Sequence, residues 1–282
     1  MKSVLAKQED GSIQLTITIP SDVVKKTQED VVKHFVEHAQ LPGFRKGKAP
    51  KKMVEDRMDP STTREETLKK LLPQFYVEAI TEHTLKPIIS PRIHVSKVDP
   101  DKDWEFTATT CEMPEVDLGT YKENIQKVTA KSKIIIPGKD LPAGQPGSQE
   151  PKFDDVMNAL IEGVTVKIPV VMIEAEADRL LSQLLEDIKK LGLTLEQYMS
   201  STNNTPEKLR DEYKKKVETD LKLEFALQKL AEAEKITVDE KEIDEAIRKA
   251  KDDTERKNLE ANRHLLASIL RQQKTLDFIK NL

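Results

Sequence analysis

The chain has 282 residues, which is room for about two domains. Charged residues make up 34% of it, whereas apolar residues make up 37% and aromatic residues 4%, so it is lean in the side chains of a compact core. The net charge of −4 argues against a general nucleic-acid binder. One cysteine, Cys111, excludes an internal disulfide and a cysteine-rich zinc site.

The first part, residues 1–114, is predicted to be an α+β domain. Apolar and polar residues alternate over 12–19, which is typical of a half-buried strand. Ser21 is expected to cap an amphipathic helix over 22–39. A loop is predicted over 41–50, followed by a short helix after Pro50. A long helix is expected to open with a Thr62–Glu65 capping box and to be kinked or divided at Pro73. Two strands are predicted within 88–98 and 103–113.

The middle part, residues 115–152, is interpreted as a connector followed by a linker. Four prolines and three glycines fall within residues 137–151, a composition that cannot hold a core. The last part, residues 153–282, is predicted to be helical throughout, with long charged helices and no fixed-period repeat. Its predicted helix starts lie at Pro169, at a Thr194–Gln197 capping box, at Thr205 and at an Asp239–Glu242 cap, and Gly192 is expected to end the helix that Pro169 opens.

The predicted loop over 41–50 is basic and carries an aromatic residue. Phe44 is flanked by cations at positions 45, 46, 48, 51 and 52, and two glycines allow tight backbone turns. Such a segment is suited to docking, because the ring can fill an apolar pocket while the cations meet acidic groups or phosphate. The alternative is a solvated basic turn with Phe44 folded into the core. A phosphate-binding loop is excluded, because the spacing before Gly47-Lys48 is one residue short and Ala49 follows.

This segment resembles the ribosome-docking signature of the trigger factor family, Gly-Phe-Arg-x-Gly-Lys-x-Pro on a helix–loop–helix tip. All its fixed positions are present, and the resemblance covers nearly all of residues 10–282 except the linker. The flanking helix with Leu72, Pro73 and Tyr76 and the Ile168-Pro169 segment are similar to the family as well. The resemblance implies ribosome binding through the following residues: Gly43, Phe44, Arg45, Lys46, Gly47, Lys48 and Pro50.

The sequence departs from the family pattern at one point. The family normally carries a prolyl isomerase domain of the FK506-binding type between its N-terminal and helical parts, and here that space holds only the linker and a short helix. We therefore expect no enzymatic activity.

The helical part carries a second functional hypothesis. Apolar stripes interrupted by charge suit weak, sequence-tolerant capture of unfolded segments, although for any single residue the alternative is ordinary helix-on-helix core. The residues predicted to contact such client segments are Met172, Ile173, Leu180, Leu184, Tyr198, Met199, Leu221, Phe225 and Phe278.

The sequence gives little indication of a metal, cofactor or catalytic site. His34 and His38 have helical i,i+4 spacing, but without a further ligand cluster they are interpreted as surface histidines, and no metal or cofactor is expected. No catalytic triad or dyad stands out.

The sequence therefore predicts an elongated protein, with an α+β ribosome-docking domain and an all-α chaperone domain of arm-like helices. Its expected action is ATP-independent binding of nascent or unfolded chains beside the ribosomal exit. The expected partners are ribosomal proteins, with ribosomal RNA contact and self-association left open and no membrane association. The start of the chain lacks the apolar run of a signal peptide, so a cytoplasmic location is expected. Three alternatives stay open: a free cytosolic holdase or assembly chaperone, a prolyl isomerase with an unrecognised site, and an RNA binder acting through the basic loop.

Overall fold

The computed structural model describes residues 2–39, 50–55, 59–132, 153–202, 204–250 and 252–282. The chain divides into two compact units. The first comprises Met1–Met113 together with Pro169–Met172, and the second comprises Pro114–Ile168 together with Ile173–Leu282.

The first unit combines a four-stranded sheet with helices. Its elements in chain order are β1 (Lys2–Lys7), β2 (Ser12–Ile19), α1 (Ser21–His38), α2 (Lys51–Glu55), α3 (Pro60–Glu82), β3 (Arg92–Lys97) and β4 (Trp104–Cys111). The strands follow the spatial order β1-β2-β4-β3, and every neighbouring pair is antiparallel.

One face of this sheet is covered and the other is polar. On β2, Leu15 and Ile17 are buried, and the core that they join includes Phe106 of β4 and Phe75 of α3. The intervening β2 residues, such as Thr16, are only partly buried. The strict alternation over 12–19 thus reflects a sheet whose apolar face packs against α3 and shares its core with Val24 of α1. Cys111, the single cysteine of the chain, is buried and its thiol is free.

The two edges of the sheet lie on β1 and β3. The edge strand β1 begins and ends with exposed lysines, Lys2 and Lys7. The hydroxyl of Ser3 donates a 2.6 Å hydrogen bond to the Glu82 carboxylate at the end of α3. At the opposite edge, the register of β3 shifts between Val95 and Lys97. Charged ends and irregular register are features that limit further strand pairing.

Two helix starts in the first unit differ from the prediction. Ser21 does not cap α1, because it is the first residue of the helix and Pro20 occupies the cap position without a side-chain hydrogen bond. The helix α3 is not opened by a Thr62–Glu65 box, because Asp59 accepts a hydrogen bond from the Ser61 N–H (2.9 Å) and Pro60 occupies the first turn. The helix α3 also runs through Pro73 to Glu82 as one element, so Pro73 does not divide it.

The second unit is helical apart from one short strand pair. Its elements are β5 (Val116–Asp117), α4 (Tyr121–Ser132), α5 (Phe153–Gly163), β6 (Thr165–Val166), α6 (Val170–Lys190, whose first residues group with the first unit), α7 (Leu195–Thr202), α8 (Pro206–Ala233), α9 (Glu240–Arg248), α10 (Asp253–Ala261) and α11 (Arg263–Lys280). The α+β and helical fold classes are confirmed, with the β5–β6 pair as an addition to a part predicted as all-α.

The segment predicted as a connector forms part of a core. Tyr121 and Ile125 of α4 are buried in one cluster with Leu160 of α5, Leu230 of α8 and Ile279 of α11. A core of this kind leaves only a weak local signal in the sequence, because its members come from helices far apart in the chain and α4 contributes only a short apolar stripe.

The predicted helix caps of the second unit are largely confirmed. The Thr194 N–H donates to the Gln197 side chain (2.9 Å), and the Gln197 N–H donates to the Thr194 hydroxyl (3.2 Å). The Thr205 hydroxyl accepts from the Lys208 N–H (3.3 Å), and the Asp239 N–H donates to the Glu242 carboxylate (2.9 Å). Among the described residues, no helix is long and apolar enough to cross a bilayer.

Candidate functional site

The predicted docking residues at 43–48 lie outside the described residues; of the set, only Pro50 is described, and it is exposed. Around the segment, α1 ends at His38 and α2 begins at Lys51, and the two helices pack against each other. The Pro50 carbonyl accepts a hydrogen bond from the Met53 N–H (3.0 Å), which opens α2. The residues between therefore connect a pair of packed helices.

The predicted client-contacting residues are less accessible than the hypothesis requires. Met172 and Phe225 are buried, so their side chains pack inside the protein and are not accessible to a client in this structure. The other seven are half-buried. Phe278, for example, packs against the cluster that contains Ile279. Helical periodicity could not separate these cases, because a core stripe and a binding stripe have the same spacing.

The most exposed apolar side chains of the second unit lie elsewhere. Four leucines around the end of α6 and the start of α7 are accessible, with Leu191 exposed by 75%. We call this group the leucine tip: Leu185, Leu191, Leu193 and Leu195. The group was not predicted, because Leu191 and Leu193 lie between α6 and α7 and Leu195 is the first residue of α7, so no single helical stripe joins them.

The leucine tip stands at the end of a helical hairpin. The Arg210 guanidinium contacts Asp178 at 2.7 Å, and the Lys214 ammonium contacts Glu174 at 3.0 Å. Asp178, the later residue on α6, pairs with Arg210, the earlier residue on α8. The two helices therefore run antiparallel. Gly192 turns the chain at the end of α6 with a φ of +73°, a conformation that glycine adopts at little cost.

The hydroxyl of Tyr213 on α8 is partly removed from water. Burial raises the pKa of Tyr213 on α8, and the neighbouring Tyr198 of α7 adds to the rise. Tyr198 of α7 therefore lies close to Tyr213 of α8, and its side chain is half-buried.

A second accessible feature is the cleft between α8 and α11, with a volume of about 620 Å³. Leu227, Ala231 and Thr275 line it and are buried, so they form its floor. Leu265 and Ile269 continue the apolar stripe of α11 that ends at the buried Ile279, yet they are exposed by 61% and 51%. The stripe is therefore longer than the part that the core covers.

Charges of both signs line the same cleft. Asp220 and Glu224 lie on α8, and Arg271 lies on α11, where its Nε donates a 2.9 Å hydrogen bond to the Ile236 carbonyl. An apolar floor with scattered charges and amides is suited to loose contacts with varied sequences rather than to one small ligand. In the parts of the chain that the structure describes, no group of three or more histidine, cysteine or acidic side chains could hold a metal ion.

Comparisons with known proteins agree on one family. A model described as bacterial trigger factor protein (TF) matches residues 1–136, and one described as bacterial trigger factor protein (TF) C-terminus matches residues 148–281. The trigger factor of Natranaerobius thermophilus is 35% identical over 122 residues, which is 43% of this chain and 27% of that protein. A Staphylococcus aureus trigger factor is 37% identical over 122 residues, 43% of this chain and 28% of that protein. The match thus spans little more than a quarter of the length of these curated relatives.

A solved structure gives the same result for the whole fold. It comes from a study of promiscuous substrate recognition in the folding and assembly activities of the trigger factor chaperone. The TM-score is 0.66 at 14% identity, with 100% of this chain and 99% of that chain covered. At this identity the likeness shows the fold alone.

A sheet-and-helix unit followed by a helical unit, matched in order by two models of one family, defines a trigger-factor fold. The chain belongs to the trigger factor family, and only residues 137–147 separate the two matched segments.

Proposed function

We propose that this protein is an ATP-independent cytosolic chaperone that docks beside the ribosomal exit and holds nascent or unfolded polypeptides on apolar surface. The observation that carries the proposal is the family match over residues 1–136, within which the docking signature is complete at all of its fixed positions. The segment joins two packed helices, α1 and α2, which would hold its ends while Phe44, Arg45 and Lys46 engage ribosomal proteins.

Client capture would use accessible apolar surface of the second unit. The leucine tip and the exposed part of the α11 stripe are the surfaces best suited to it, because their side chains can lose solvent contact without unpacking a core. Tethering at the exit would raise the effective concentration of each emerging chain, so weak contacts would suffice. A client would leave once it buries its own apolar residues.

Ribosome co-sedimentation tests the docking step. We expect the intact protein to pellet with ribosomes and the Phe44→Ala, Arg45→Ala, Lys46→Ala triple variant to stay in the supernatant. The matched control removes one apolar and two basic exposed side chains from α3, through Val77→Ala, Lys69→Ala and Lys70→Ala, and should pellet like the unmodified protein.

Both variants must first give the circular dichroism of the unmodified chain. If the intact protein does not pellet, or the triple variant pellets equally, the docking assignment is wrong and a free holdase becomes the better hypothesis. A steep salt dependence of binding to naked ribosomal RNA would instead point to RNA contact.

A further inference from the structure

Two histidines lie side by side near the end of α1. His34 and His38 are one helical turn apart, both exposed, and their ring centroids are 4.4 Å apart with a 33° angle between the planes. Residues at this spacing share one face of a helix. The two imidazole rings therefore lie next to each other on one solvent-exposed face of α1.

The hydrogen bonding of His38 decides which nitrogen is free. Its Nδ1 lies 2.9 Å from the His34 carbonyl oxygen of the preceding turn. A carbonyl oxygen can only accept, so Nδ1 must carry the hydrogen in this contact. In the neutral ring the lone pair then resides on Nε2. Fixing one nitrogen to a backbone carbonyl is also how proteins orient histidines that ligate metals.

We propose that His34 and His38 form a surface site for a late first-row divalent transition metal such as Zn²⁺, Ni²⁺ or Cu²⁺. Imidazole nitrogen suits these ions, and two histidines at i,i+4 on one helix are a known chelating arrangement. Among the described residues no third protein ligand joins the pair. The remaining coordination positions are open to water or to a group from a binding partner, so the ion exchanges readily.

The neighbouring charges are compatible with such a site. Asp30 lies one turn before His34, and its carboxylate contacts the Lys33 ammonium at 3.4 Å. The site occupies the last turn of α1, where positive charge interacts favourably with the helix dipole. An ion bridging the two rings stabilises that turn, which leads directly into the segment between α1 and α2. Metal binding itself does not depend on ribosome docking.

Calorimetric titration of the full chain with NiCl₂ and with ZnCl₂ tests the site. The protein must carry no polyhistidine tag, since a tag would dominate the signal. We expect one saturable site in the unmodified chain, and an affinity lower by about tenfold or more in both His34→Ala and His38→Ala, because each variant loses the chelate. His264→Ala removes an exposed helical histidine on α11 and should leave the affinity unchanged.

A second readout locates the ion. In long-range proton–nitrogen spectra, the imidazole signals of residues 34 and 38 should broaden first on addition of Ni²⁺, before those of the other histidines. The proposal is overturned if the unmodified chain shows no saturable binding. Equal affinity in His34→Ala, His38→Ala and the unmodified chain, with unchanged circular dichroism, overturns it as well.

Discussion

At the scale of single residues, one carboxylate joins two elements of the second unit. Glu234, just after α8, accepts a hydrogen bond from the Tyr121 hydroxyl (2.9 Å) and contacts the Lys122 ammonium (2.7 Å). The bonds from Lys122 and Tyr121 lower the pKa of the Glu234 carboxyl below its ordinary value of 4.5. Burial, reinforced by this carboxylate, raises the pKa of Tyr121. The contact fixes the start of α4 against the end of α8.

Glu234→Gln removes the charge while keeping an acceptor for Tyr121. We expect the free energy of unfolding of the second unit to fall by about 1 kcal/mol at neutral pH. Because the folded pKa is depressed, the contribution of Glu234 is present above its ordinary value of 4.5 and is lost as pH falls through the lowered pKa. The difference between the two proteins should therefore shrink as the pH falls below 4.5.

Urea midpoints followed by far-ultraviolet circular dichroism would measure this difference, down to the lowest pH at which both proteins stay folded. Glu232→Gln, at an exposed position nearby, is the matched control. Fluorescence of the single tryptophan, Trp104, reports the first unit and should not change. A difference that stays constant with pH would contradict the assignment.

At the scale of elements, the leucine tip carries a prediction for client binding. Burying one leucine contributes about 1–2 kcal/mol, so losing three contacts should weaken capture markedly. We expect Leu191→Ser, Leu193→Ser, Leu195→Ser to need a concentration about tenfold or more higher for half-suppression of the aggregation of an unfolded protein. Since these side chains are already exposed, the fold should be little affected.

The control for the tip variant exchanges exposed apolar residues of the first unit: Val77→Ser, Ile88→Ser and Met113→Ser. It should suppress aggregation like the unmodified chain. Equal loss in both variants would indicate that any exposed apolar residue serves. No loss in the tip variant would move the client surface to the α8–α11 cleft.

Some of these elements could be predicted from local sequence patterns and others could not. Helix caps such as Thr194–Gln197 were predicted correctly, because the two partners lie three residues apart and the hydrogen bonds between them do not depend on residues distant in sequence. The strand β1 was not predicted, since KSVLAK alternates weakly and becomes a strand by pairing with β2. The Thr62–Glu65 box was not used because Asp59, followed by Pro60, caps the helix three residues earlier.

The candidate site was less predictable than the fold. Phe225 and Leu221 belong to the same apolar pattern on α8. Phe225 is buried whereas Leu221 is half-buried, because burial depends on helices that are distant in sequence. The docking residues 43–48 were identified through a family signature, and they lie outside the described residues, so their role remains a prediction.

At the scale of the whole molecule, the two family segments leave no room for a third domain between them. Residues 137–147 are far fewer than the roughly 50 residues of a small domain. We expect the chain to leave the isomerisation rate of an X-Pro tetrapeptide at its uncatalysed value. An FK506-binding-type isomerase at equal concentration provides the positive control, and acceleration that saturates with peptide would reveal an unrecognised catalytic site.

The charged ends of β1 and the register shift in β3 affect how long an unfolded chain could stay bound at the edges of the four-stranded sheet. A sheet edge that accepted the backbone of a client would build a hydrogen-bonded ladder, and such ladders dissociate slowly and seed further growth. With lysines at both ends of β1 and an irregular register in β3, the backbone of an incoming chain finds no regular template there. If the protein binds unfolded chains as proposed, their retention depends on side chains alone, each of which can detach independently. Residence times would then be short, and the protein would be protected from co-aggregating with its clients.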